Sequence, residues 1–146
     1  MVLDGVSLHR RFISRTMTYL WIALGGALGS VMRFWMSNAV TQRFGTTPMW
    51  GTLFVNVTGS FLIGVLAGLS APGGRFAGTD SFRQFFIVGV CGGYTTFSAF
   101  SIQTLDLIRA GQVLHAGGNV LLSVTLCLIA VWLGHQLGSA LHGRGA

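Results

Sequence analysis

The sequence GVCGGYTTFSAFS at residues 89–101 lies in the middle of an apolar run that is long enough to cross a bilayer. It contains the glycine pair Gly92-Gly93 and the threonine pair Thr95-Thr96. Glycine weakens a helix by roughly 1 kcal/mol relative to alanine, and adjacent β-branched residues crowd the preceding turn. The stretch therefore predicts a helix break between Gly92 and Thr96. Because backbone groups released from a helix cannot face lipid, the break must be buried in protein, bind an ion or line a watery path.

The composition of the whole chain is that of an integral membrane protein. Of 146 residues, 51% are hydrophobic and 8% are charged, against about 25% charged residues in ordinary soluble domains. The nine cationic residues are all arginines, spread between apolar runs rather than clustered with aromatic residues, which argues against nucleic-acid binding. Cys91 and Cys127 lie inside predicted spans and are interpreted as packing residues.

Four apolar segments predict four transmembrane helices joined by short polar connections. The predicted spans are residues 19–40, 50–70, 81–109 and 119–137. Gly25 and Gly29, and likewise Gly134 and Gly138, have the small-xxx-small spacing that lets membrane helices approach closely.

The predicted domain organisation has three parts. Residues 1–16 form an N-terminal extension upstream of Met17, which we interpret as the natural start. Residues 17–140 form a four-helix membrane domain, and residues 141–146 form a C-terminal tail.

The distribution of arginines predicts insertion in both orientations. One predicted side of the membrane holds arginines 10, 11, 15, 75, 83 and 144, and the other holds Arg43 and Arg109. If the chain begins at Met17, the first group shrinks to arginines 75, 83 and 144. Such a small excess of positive charge does not fix the topology of a short membrane protein.

The sequence argues against an enzyme and against a coupled carrier. Ser98 could be paired with His115 or His135 as a nucleophile and its base, but no acidic residue is available to orient either histidine. Cation-coupled carriers use carboxylates inside the membrane. The one candidate, Asp106, falls in the last turn of the third span beside Arg109, where an interfacial ion pair is the simpler account.

What remains inside the spans is a group of uncharged hydrogen-bonding side chains, which suits an anion better than a cation. They are Asn56, Thr58, Ser60, Thr95, Thr96, Ser98, Ser101, Asn119, Ser123 and Thr125. Each hydroxyl could instead bond to the carbonyl four residues earlier and serve only packing. Asn56 needs a partner or a pore, because an unsatisfied amide costs several kcal/mol in hydrocarbon. Arg33 either extends to the nearer surface or sets a positive potential in a vestibule, and the sequence leaves both open.

Phe97 and Phe100 are three residues apart and so share one helix face. They are either an ordinary core stripe or a pair of rings whose positive edges face a poorly solvated anion. Ring edges would attract such an ion without the tight salt bridge that would prevent its departure.

Two segments, GTLFVNVTGSFLIG at residues 51–64 and GVCGGYTTFSAFS at residues 89–101, closely resemble the signature segments of the CrcB/Fluc family of fluoride channels. The Gly-xxx-Arg spacing of Gly29 and Arg33 matches a third. The resemblance covers Met17 to about Gly138. It implies an all-α integral membrane protein with a break in the third helix, assembled as an antiparallel, dual-topology homodimer in the bacterial inner membrane.

The resemblance also implies a function and a set of site residues. The function is a passive fluoride channel that exports fluoride from the cytoplasm. The residues implied for the pore are Asn56, Thr96, Phe97, Ser98, Phe100, Ser101 and Ser123, with Arg33 at the vestibule. The backbone carbonyls of Gly92 and Thr95 would hold a structural sodium ion (Na⁺) at the dimer centre. The alternatives are a dual-topology small multidrug carrier, which needs an acidic residue in mid-span, and a membrane subunit that transports nothing.

Overall fold

The computed structural model describes the backbone of residues 2–44, 47–72 and 76–143, with side chains described for 15–44, 47–72 and 76–141. Throughout these residues the regular structure is helical. The predicted extension and tail therefore lie largely outside the described side chains, as do Arg10, Arg11, Arg75 and Arg144.

The helices follow the chain in a simple order. They are α1 (Val2–Phe44), α2 (Pro48–Leu69), α3 (Asp80–Phe82), a π-helical segment (Arg83–Cys91), α4 (Gly92–Tyr94), α5 (Phe97–Arg109) and α6 (Val113–Gly143). Pro48 at the first position of α2 needs no hydrogen-bond partner for its nitrogen, which suits a helix start.

Three helical segments within the described residues are long and apolar enough to cross a membrane. They are Pro48–Leu69, Asp80–Arg109 and Val113–Leu141. Four spans were predicted, and α1 is not among these three. Its 43 residues would measure about 64 Å, so length is not the reason. The predicted first span carries Arg33 together with serines and tryptophans, which lower its mean hydropathy.

The start of α6 differs from the prediction. The connection was predicted over residues 110–118, but α6 already begins at Val113. Gly111 turns the chain with a φ of 73°, and the Ala116 N–H donates to the Gln112 carbonyl at 3.0 Å. The glycines at 117 and 118 were interpreted as loop residues. They lie within the helix instead. Within a membrane, the hydrogen bonds of a helix satisfy the backbone N–H and C=O groups that water cannot reach.

Glycines allow the helices to pack with their backbones almost in contact. A Cβ atom on Gly89 of the π-helical segment would lie 2.9 Å from the Gly25 Cα of α1. On the other side of the bundle, a Cβ atom on Gly138 of α6 would lie 3.0 Å from the Val65 carbonyl carbon of α2. The predicted close packing at these glycines is confirmed, and it brings α1, α2 and α6 around the segment that contains Thr95 and Thr96.

Candidate functional site

Two residues of extended backbone separate α4 from α5. Thr95 has φ −82° and ψ 159°, and Thr96 has φ −152° and ψ 112°. Thr96 also caps the next helix, because its Oγ1 accepts from the Ala99 N–H at 3.2 Å. Thr96 thus lies between the two helices and is the N-cap residue of α5.

The side chain of Asn56 on α2 holds this extended segment in place. Its Nδ2 donates to the Thr96 carbonyl at 3.0 Å, and its Oδ1 accepts from the Thr96 N–H at 2.8 Å. Both backbone groups of Thr96 are therefore satisfied by one amide across 40 positions of sequence. Since an amide nitrogen carries two hydrogens, Asn56 retains one donor beyond this pair.

The same pairing changes the environment of the Gly92 carbonyl. In a continuous α-helix the Thr96 N–H would donate to the carbonyl four residues earlier, at Gly92. Here that N–H donates to Asn56. Gly92 is exposed, and nothing described lies within 4 Å of the position where its Cβ would be. The Gly92 carbonyl thus lacks the donor that it would have in a continuous α-helix.

A cavity of about 400 Å³ lies beside the extended segment, and we call it the phenylalanine cavity. It is lined by Asn56, Ser60, Ile63, Thr95, Thr96, Phe97, Phe100, Ser123, Val124, Cys127 and Leu128. Five of the predicted pore residues, drawn from α2, α5, α6 and the segment between α4 and α5, therefore meet around one space. Cys127, interpreted from the sequence as a packing residue, also faces this cavity.

The two phenylalanine rings differ sharply in burial. Their centroids are 5.2 Å apart and their planes are inclined by 47°. Phe100 is 9% exposed, whereas Phe97 is 77% exposed on the surface of the single chain. Phe97 therefore lines the cavity while most of its surface stays uncovered.

A second, larger cavity of about 620 Å³ also includes Thr96 in its lining, and we call it the arginine cavity. It is lined by Ser30, Arg33, Phe34, Ser37, Asn38, Thr52, Val55, Thr96, Ser98, Ala99, Ile102 and Gln103. Arg33 is half-buried at this position. Thr96 lines both cavities, and its hydroxyl is 3.1 Å from that of Ser98.

A chain of polar side chains links α5 to α6 next to the phenylalanine cavity. The Thr104 hydroxyl donates to the Phe100 carbonyl at 2.8 Å, and Asn119 Nδ2 donates to Thr104 Oγ1 at 2.8 Å. The Ser123 hydroxyl donates to Asn119 Oδ1 at 3.4 Å. Asn119 and Ser123 are both buried.

Some of the polar residues singled out in the sequence bond to backbone carbonyls of their own helix instead of facing a cavity. The Ser101 hydroxyl is exposed and donates to the Phe97 carbonyl at 2.8 Å, and Ser101 lines neither cavity. Thr58 likewise donates to the Phe54 carbonyl at 2.8 Å, and its oxygen is 3.0 Å from the Tyr94 hydroxyl. Such back-bonding removes a hydroxyl hydrogen from any ligand.

Sequence reasoning missed two polar residues of α5, Gln103 and Thr104. Gln103 Nε2 donates to Thr52 Oγ1 at 2.9 Å, while its Oε1 is buried with no hydrogen-bond partner among the described residues. The signal was present, because the rule that drew attention to Asn56, a polar amide within an apolar span, applies equally to Gln103.

These features define a class of protein. The chain is a multi-pass membrane protein of helices, with two neighbouring cavities that mix polar and apolar side chains and whose described lining contains an arginine and no acidic side chain. Residues 20–135 match the protein family described as CrcB-like protein, Camphor Resistance (CrcB). The chain belongs to this family.

Named relatives match nearly the full length of the chain. A protein of Rhodospirillum rubrum called "Fluoride-specific ion channel FluC" is 54% identical over 129 residues, which cover 88% of this chain and 99% of the relative. Proteins of the same name from Opitutus terrae and Methylocella silvestris are 60% and 51% identical over 117 and 126 residues. These alignments cover 80% and 86% of this chain, and 89% and 96% of the two relatives.

Proposed function

We propose that this protein is a fluoride channel, not an enzyme, and that it lets fluoride leave the cytoplasm down its own electrochemical gradient. The observation that carries the proposal is the meeting of Asn56, Phe97, Phe100 and Ser123 around one cavity. Relatives that are 51–60% identical over most of their length carry the name of such a channel.

The ion path runs through the two cavities, with Thr96 between them. Arg33 raises the local concentration of anions in the arginine cavity, since a half-buried positive charge in a cleft attracts counter-ions. Fluoride then passes the Thr96 and Ser98 hydroxyls and reaches the phenylalanine cavity. A carboxylate would repel the ion, and the described lining of both cavities has none.

Desolvation is the main barrier, because fluoride is small and holds its water strongly. Within the phenylalanine cavity the replacement donors are the remaining N–H of Asn56 and the nearby hydroxyls. The rings of Phe97 and Phe100 add attraction through their positive edges. Weak contacts of this kind let the ion leave as readily as it enters.

A second copy of the chain completes the pore. Phe97 is 77% exposed in the single chain although it belongs to the proposed path, and a partner in the antiparallel orientation would cover it. In this proposal α1 supplies the fourth transmembrane helix and the third span is broken at Thr95 and Thr96. If the chain begins at Met17, the arginine count is three against two, which permits the two orientations that such a dimer requires.

A sodium ion fits the Gly92 and Thr95 carbonyls at the centre of this dimer. The Gly92 carbonyl lacks its helical donor, and Thr95 is extended, so neither is committed to a continuous helix. Carbonyl oxygens from unwound membrane helices are suitable ligands for sodium, and two subunits would supply four. The ion would stabilise the contact between the breaks of the two chains.

The test is fluoride release from liposomes that contain the purified protein, measured with a fluoride electrode and repeated with chloride. Fast release of fluoride without chloride is the expected result. A well-folded protein that releases no fluoride would overturn the proposal. In that case, drug and proton exchange in the same liposomes would test the carrier alternative.

A further inference from the structure

The hydrogen bonds that join Thr104, Asn119 and Ser123 can run in only one direction. The Phe100 carbonyl can only accept, so the Thr104 hydroxyl must donate its single hydrogen to it. The Thr104 oxygen then has only acceptor capacity left for its other neighbour. Asn119 must therefore offer its amide nitrogen to Thr104.

This direction decides what Ser123 presents to the phenylalanine cavity. With Nδ2 of Asn119 facing Thr104, the amide oxygen faces Ser123, and that oxygen can only accept. The Ser123 hydroxyl must donate to it. Ser123 lines the cavity, so the part of its hydroxyl that stays available there is a lone pair, which repels an anion.

We propose that Asn119 is a positioning residue of the phenylalanine cavity, which turns the Ser123 hydroxyl hydrogen away from the cavity and so weakens the cavity's hold on an anion. The inference rests on the proposed fluoride channel and assigns to Asn119 a role in its conduction. To bind the ion, Ser123 releases Asn119 and rotates its hydrogen into the cavity.

The two bonds of Asn119 have unequal strength, as this role requires. The bond to Thr104 has a donor–acceptor distance of 2.8 Å, which is close to optimal. The bond from Ser123, at 3.4 Å, is long for a hydroxyl donor. The Asn119 amide therefore stays bonded to Thr104 on α5. The Ser123 hydroxyl can readily move its hydrogen bond from Asn119 to the ion.

The experiment measures fluoride flux in liposomes as a function of fluoride concentration. Asn119→Leu removes the acceptor for Ser123, and we expect the half-saturating concentration to fall by about twofold, because so long a bond lies at the weak end of the range for a competing hydrogen bond. Thr104→Val should lower it too, because the Asn119 amide is then free to turn and offer Ser123 its nitrogen. Thr104→Val is less liable than Asn119→Leu to disturb folding, because valine has nearly the same shape as threonine.

Three controls separate positioning from packing. Ser123→Ala should abolish the effect of either substitution, because no hydroxyl remains to be oriented. Thr104→Ser keeps the hydroxyl and should behave as wild type. Thr125→Val removes an exposed hydroxyl from the same helix, outside the cavity lining, and should also leave the half-saturating concentration unchanged.

The outcomes distinguish this inference from the proposed function. If the wild-type protein releases no fluoride, the channel assignment fails and the role of Asn119 fails with it. If wild type conducts but Asn119→Leu and Thr104→Val leave the half-saturating concentration unchanged or raise it, only the positioning role is overturned. Equal shifts with and without the Ser123 hydroxyl would overturn it as well.

Discussion

Replacing Asn56 with leucine should destabilise the protein, because the Asn56 amide satisfies both backbone groups of Thr96. The two hydrogen bonds measure 3.0 and 2.8 Å, and leucine, which has the same number of side-chain heavy atoms but no polar ones, can make neither. Both bonds are part-buried, and a net hydrogen bond contributes about 0.5–1.5 kcal/mol, so losing two predicts a loss of about 1–3 kcal/mol. At about 2–4 °C per kcal/mol, the melting temperature should fall by roughly 2–12 °C.

The assay is thermal unfolding of the purified protein in detergent, followed by the amount that still elutes as a folded species. Ser60→Ala is the matched control, because Ser60 lies one turn further along α2 and lines the same cavity without bonding to Thr96. Its stability should change by no more than about 0.5 kcal/mol. If Asn56→Leu and Ser60→Ala unfold at the same temperature as wild type, the Asn56 amide does not hold the extended segment.

Three further predictions follow from the proposed channel. Phe97→Ile should abolish fluoride flux while the dimer still elutes intact. Asn56→Asp should abolish flux as well, and because it loses the donor to the Thr96 carbonyl it should also unfold at a lower temperature. Unchanged flux in both variants would remove these residues from the pore. Replacing sodium by a larger cation should weaken flux through loss of the ion at Gly92 and Thr95, and indifference to sodium would contradict that site. Paired reporters that are active on opposite sides of the membrane, each fused to the C-terminus, should both show activity. One silent reporter would argue against dual topology.

Some features of the chain follow from local sequence properties. The glycine and threonine pairs predicted an interruption between Gly92 and Thr96, where Thr95 and Thr96 have extended dihedral angles, and a break of the third transmembrane helix at this point stays a prediction. Small residues at regular spacing predicted the close helix contacts. These features depend on a few neighbouring residues, so the sequence carries them directly.

Contacts between distant segments could not be predicted in the same way. The Asn56 amide bonds to Thr96 because of the way α2 lies against the segment between α4 and α5. No local sequence pattern specifies that arrangement. The start of α6 was missed for a related reason, since the glycines at 117 and 118 have low helix propensity but are held within a long membrane helix.

Counting polar residues in the spans overestimated the number of donors that an ion could meet. The hydroxyls of Thr95 and Ser101 donate to the Cys91 and Phe97 carbonyls, so both hydrogens are already used. Thr96 and Ser98 share one of their two hydrogens in a mutual bond, which leaves one between them.

Under the proposed function, fluoride therefore exchanges its water for very few protein donors. These are one N–H of Asn56, the hydroxyl of Ser60, one hydroxyl from the pair of Thr96 and Ser98, and Ser123 once it releases Asn119. So small a set cannot hold the ion tightly, and the ring edges of Phe97 and Phe100 supply the remaining attraction. A channel needs this balance, because an ion that binds more strongly than it is hydrated would block the path that it should cross.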